Sequence, residues 1–242
     1  MYVRLKHALS ALALEAVRSP AGALPRGTVA WLVAFCDLCR GERFEIPITK
    51  IAALLSRRSG NGTHVWQWIA QNELLDLQNG TLSLSKAFRP YFPYMDRQVH
   101  RLAGVLGALD AASRDARIPD HVAAMWTGVA LFNGGLFFEC HEYLESIWRA
   151  APLPEKDFYQ GIILIAAGFY HYEKGNPKGA GSKLVQGIKK LEPYLPARHG
   201  VRLDRWLMSL APWKTRLETG GSAGVLKPSD IPKIPFSPTR AS

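Results

Sequence analysis

Phe137-Phe138-Glu139-Cys140-His141-Glu142-Tyr143-Leu144-Glu145-Ser146-Ile147-Trp148-Arg149 decides how the C-terminal half of this chain folds. At 100° per residue, Phe137, His141, Leu144 and Trp148 share one helical face with Cys140 and Ile147 alongside, while Glu139, Glu142 and Ser146 point away. A helix over 136–150 is therefore expected, with His141 in mid-face and Glu145 at its edge. On either side the apolar spacing predicts helices over 121–133, 155–174 and 177–191, the last capped by Asn176 with Pro177 at its first position. A fifth helix is expected over 206–217. No alternating pattern interrupts them, so residues 119–218 are read as an all-α bundle.

A histidine and a carboxylate drawn toward a core must find partners, because an unpartnered buried polar group costs on the order of 1–3 kcal/mol. The helix over 155–174 is apolar nearly all round, and its polar exceptions Gln160 and His171 share one stripe. They lie eleven residues apart, about 16 Å along the axis, so they cannot join a single ligand shell. His141, Glu145, Trp148, Gln160 and His171 are the candidate polar site. His141, Glu145 and His171 would supply two imidazoles and a carboxylate for a metal or an acid and base pair; the competing reading is a hydrogen-bond network that fixes helix register. No HExxH pattern is present, no cofactor is indicated, and no reaction is legible.

In the N-terminal half, Trp31, Leu32, Phe35 and Leu38 place a helix over 28–40. A short strand, 43–46, ends at Pro47, and Thr49 is placed as the cap of a helix over 50–55. The turn Arg57-Arg58-Ser59-Gly60-Asn61-Gly62 leads into a third helix from Thr63, with Val65, Trp66, Ile69 and Leu74 inward and Trp68 partly exposed. Leu75, Leu77, Leu82 and Leu84 then alternate around Asn79-Gly80, a strong signal for a two-residue hairpin.

That order of elements resembles a winged helix-turn-helix domain over about 60 residues of 1–90. The resemblance implies DNA recognition, with Arg57 and Arg58 on phosphate and Thr63, His64 and Gln67 at base edges. Against it, the wing Gln78-Asn79-Gly80-Thr81 carries no Lys or Arg, and winged helices also serve as protein-contact modules. Cys36 and Cys39 form a lone CxxC on an apolar helix and are read as core cysteines rather than zinc ligands.

Phe132-Asn133-Gly134-Gly135, the helix quoted first, Phe158-Tyr159-Gln160-Gly161-Ile162 and Tyr170-His171 with Gly175-Asn176-Pro177-Lys178-Gly179-Ala180 together resemble the family called domain of unknown function 309, over roughly residues 124–194. The resemblance implies a helical fold and no established activity. One departure stands at Gly161-Ile162-Ile163-Leu164, where that family commonly shows Gly-Leu-Ile-Gln. The stretch from Tyr172 to Ala180 is also similar to the helical hairpin of tetratricopeptide units, but no 34-residue repeat accompanies it.

The chain of 242 residues holds 30 Lys and Arg against 20 Asp and Glu, with 48% apolar residues. This composition excludes a disordered or collagen-like chain, and its basic balance favours nucleic acid or an acidic partner. The longest apolar run, Ile162 to Tyr170, is less than half of the roughly 20 residues a membrane helix needs. Three cysteines do not make a disulfide framework, which fits a cytoplasmic protein. The expected organisation is a winged helix over 1–90, a linker and connecting helix over 91–118, the bundle over 119–218 and a flexible tail over 219–242. DNA is the expected partner, with a homodimer or a protein partner as further possibilities, and no membrane.

Overall fold

The computed structural model describes residues 1–39, 43–55, 63–113, 120–218 and 230–237. It is mainly helical with one small antiparallel sheet, and it divides into two compact units, Met1–Arg114 and Asp115–Ser242.

In the first unit, α1 (Tyr2–Arg18) and α2 (Leu24–Leu38) are followed by β1 (Glu45–Pro47), α3 (Ile48–Leu55), α4 (Thr63–Asn72), β2 (Leu75–Gln78), β3 (Thr81–Leu84) and α5 (Phe92–Ser113). Helix α2 starts four residues before the expected Thr28. Pro25 fits its first turn, where no amide donor is needed, and Thr28 lies inside it with its hydroxyl donating to the Leu24 carbonyl at 3.2 Å. Likewise α3 starts at Ile48, so Thr49 is a first-turn residue and not the cap.

β3 lies between β1 and β2, with Leu75 opposite Leu84 and Gln78 opposite Thr81. The turn is formed by Asn79 at φ +48° and Gly80 at φ +72°. Two consecutive left-handed residues give the turn a twist that matches the strands, which is why an Asn-Gly pair is legible in sequence. Leu75, Leu82 and Leu84 are buried as their alternation predicts, whereas Leu77 is 48% exposed. It sits one residue from the end of β2. Trp66 and Trp68 are both half-buried, and Trp66 meets Trp31 edge-on at 5.2 Å.

Of the stretch expected as linker and connecting helix over 91–118, Phe92–Ser113 is α5, which belongs to the first unit. Pro90 is the second residue of a single 3-10 turn, Arg89–Tyr91, and Pro93 is the second residue of α5, so both prolines occupy positions that helices tolerate. The face of α5 carrying Met95, Val99, Leu102, Val105 and Leu106 is buried, and the helix packs on α1 and α2. Arg26 joins α2 to α5 through Asp110 at 2.5 Å.

The second unit comprises α6 (Asp120–Asn133), α7 (Phe137–Ala150), α8 (Glu155–Glu173), α9 (Pro177–Leu191) and α10 (Leu203–Glu218). Asn176 caps α9 as expected, its side-chain oxygen accepting from the Gly179 amide at 2.9 Å. Helices α8 and α9 approach closely at Gly161 and Gly187, because a β-carbon on Gly187 would lie 2.7 Å from the Gly161 carbonyl oxygen.

The expectation of a flexible tail fails for residues 230–237. Ile231 and Ile234 are buried, and the Phe236 ring stacks on Trp126 at 4.9 Å. Asn133 clamps Ile234 at both backbone groups, accepting from its amide at 2.7 Å and donating to its carbonyl at 3.1 Å. Among the described residues, no helix is long and apolar enough to cross a membrane.

Candidate functional site

Helix α7 packs against α6 and α8, and this double packing sets which of its residues are inward. Phe137, Cys140 and Leu144 are buried, and Leu144 fills the space beside Gly128 of α6, where a β-carbon would lie only 2.6 Å away. Phe137 meets Phe132 at 5.1 Å and Phe169 at 5.6 Å. The buried face is thus rotated from the expected one toward Cys140. Glu139, expected to point away, is buried, while His141, expected in mid-face, and Trp148, expected on the same face, are half-buried at the rim.

Going round the helix from His141, Glu145 and then Glu142 are the next of the three polar positions. His141 Nδ1 donates to Glu142 Oε1 at 3.2 Å, since an ionised carboxylate only accepts. Glu142, expected to point away from the apolar face, is thus the partner of His141. Glu145 instead accepts from Arg149 at 3.3 Å. One ligand-capable atom from each of His141, Glu142 and Glu145 lies within 4.8 Å of the other two.

The remaining expected site residues are elsewhere. His171, in the last turn of α8, faces the α9 cap, with Nδ1 3.4 Å from Asn176 Nδ2. It takes no part in the His141 group, so the set His141, Glu145 and His171 is not assembled. Gln160 is half-buried near the other end of α8. The Trp148 ring carries Lys156 Nζ at 5.6 Å from its centroid.

A second polar cluster escaped the sequence reading. Glu155, the first residue of α8, accepts from Arg198 and sits 2.6 Å through Oε2 from His199 Nε2. The His199 ring lies edge-on to His121 and to Phe158, each at 5.3 Å. Burial, then Arg198 and His121, push the His199 imidazole down to about 4, and the Glu155 carboxylate already answers Arg198. His199 is therefore neutral at pH 7 and donates to Glu155. It occupies a loop turn at φ +48°, followed by Gly200 at φ +82°, and loop residues of this kind have no periodicity to betray them. Close by, Tyr194 forms a groove of about 520 Å³ with Asp157, Gln186, Lys189, Lys190 and Pro193.

In the first unit, Val65 and Ile69 turn inward from α4, leaving Gln67, Ala70 and Gln71 exposed. Arg57 and Arg58 lie outside the described residues, as do the side chains of Thr63 and His64. The CxxC cysteines are core residues: Cys36 and Cys39 are buried, and burial raises both thiols, Cys39 to about 12.

The second unit is thus a helical domain with a histidine and carboxylate group on one helix. Residues 125–182 match the family described as "Domain of unknown function (DUF309)". Over 69 residues the chain is 33% identical to the uncharacterized protein YpuF of Bacillus subtilis (strain 168), a stretch amounting to 28% of this chain and 40% of that protein. The chain therefore spans about two-fifths of the length of that curated relative. No solved structure matches.

Proposed function

We propose that this chain binds nucleic acid through its N-terminal unit, in the manner of a winged helix, and that its helical C-terminal unit serves dimerisation or ligand sensing. The observation that carries the reading is the sequence of elements α2, β1, α3, α4 and the β2–β3 hairpin, in which α4 turns Gln67 and Gln71 to solvent. A helix so presented and followed by a hairpin is the arrangement that enters a major groove. Charge supports it, since residues 1–114 hold 14 Lys and Arg against 8 Asp and Glu. Arg57 and Arg58, just before α4, are the phosphate contacts of this reading, and Thr63, His64 and Gln67 face the bases. The hairpin tip supplies no cation, so affinity rests on the residues before α4.

The test is DNA binding by full-length variants. Arg57→Ala with Arg58→Ala weakens binding to unrelated duplexes by similar factors, whereas Gln67→Ala changes preference among sequences at nearly constant average affinity. Unchanged affinity in the double variant removes the proposed phosphate contacts.

A further inference from the structure

The polar edge of α7 carries an inference independent of the nucleic-acid reading. His141 and Glu145 are four residues apart, so their side chains rise from successive turns, and Glu142 closes the group from the adjoining position. One ligand-capable atom of each lies within 4.8 Å of the others. The side chains of His141, Glu142 and Glu145 are 30%, 37% and 30% exposed, which leaves them seated against the helix yet open to solvent.

The electrostatics of α7 point the same way. Glu142 and Glu145 stand three residues apart on one helix, a spacing at which like charges repel. Glu145 pairs with Arg149 at 3.3 Å, but that arginine is 69% exposed, and a solvent-exposed ion pair of this kind contributes little. A small divalent cation among the three side chains would relieve the repulsion from a fixed position. Among the described residues, the histidine and carboxylate groupings at His100 and at His199 lack this geometry. His100 engages Asp96 and Asp37 through opposite ring nitrogens, and Glu155 beside His199 is already taken by Arg198.

We propose that His141, Glu142 and Glu145 form a binding site for a divalent transition-metal ion of the zinc and manganese class. An imidazole with two carboxylates suits these ions, whereas magnesium and calcium favour oxygen ligands alone. Three protein ligands on a solvent-facing edge leave coordination positions for water, the pattern of an open site rather than a closed structural one.

The experiment titrates untagged, full-length protein with Zn2+ and, separately, Mn2+ by calorimetry, with metal content measured after dialysis. The expected result is one equivalent of at least one of the two ions per chain. His141→Ala and Glu145→Gln each weaken it at least about tenfold, while His171→Ala leaves it unchanged. Glu145→Gln is isosteric and keeps the fold, and circular dichroism verifies this for both variants. Absence of stoichiometric binding, or binding undiminished in His141→Ala and Glu145→Gln, overturns the proposal. Its failure leaves the nucleic-acid reading untouched, since that rests on other residues.

Discussion

His141 bonds through Nδ1 to Glu142, its immediate neighbour in the chain, at 3.2 Å, and Glu145 one turn further on answers Arg149. This pairing follows from the phase of α7. Leu144 is fixed against Gly128, and Phe137 lies between Phe132 and Phe169, so the helix cannot turn His141 into the core. The histidine is left at the rim, where it gathers the two carboxylates that sequence spacing alone had separated.

Close approach of α8 and α9 depends on Gly187. A β-carbon there would lie 2.6 Å from Ile165 Cγ1 and 2.7 Å from the Gly161 carbonyl oxygen, and the backbone oxygen cannot give way cheaply. Gly187→Ala is expected to cost about 1–3 kcal/mol in urea denaturation. Gly104, on α5 with open space around it, is the contrast: Gly104→Ala is expected to gain about 0.5–1 kcal/mol from helix propensity.

His199 makes stability depend on pH. Its folded value of about 4 lies below the ordinary 6.5, so as pH falls the unfolded chain takes up this proton first. The contribution is complete above about 6.5 and is lost progressively between 6.5 and 4. Between pH 7 and 5 the loss from this one group is about 1–2 kcal/mol. His199→Asn, which tolerates the positive φ, is expected to remove that part of the pH dependence, read as the difference between variant and wild type in denaturant titrations.

Asn133 holds the C-terminal segment through two hydrogen bonds to Ile234. Asn133→Ala is expected to lower stability by about 1–3 kcal/mol. Faster hydrogen exchange at the Ile234 amide, with no change in α1, distinguishes release of this segment from general loosening.

What was legible in sequence had a local chemical cause. Asn79-Gly80 declared its turn because few other pairs accept two left-handed conformations, and Asn176-Pro177 declared a helix start through a cap and a ring-fixed φ. The phase of α7 was hidden because His141 and Trp148 count toward an apolar face as readily as Cys140 does, and only α6 and α8 decide between them. The segment 230–237 was hidden for a related reason. Its prolines suggest a loose end by composition, yet Ile231, Ile234 and Phe236 pack as an extended strap that needs no periodicity. His199 and Glu155 are 44 residues apart, and no local pattern joins them.

The most direct test of nucleic-acid binding is fluorescence anisotropy of a labelled mixed-sequence duplex with the full-length protein as salt rises from about 50 to 200 mM. The prediction is a linear fall of log affinity against log salt, with a slope near −0.9 per phosphate contacted, made shallower by replacing Arg57 and Arg58 together with alanine. No binding at about 50 mM salt would contradict the account and leave the N-terminal unit as a protein-contact module.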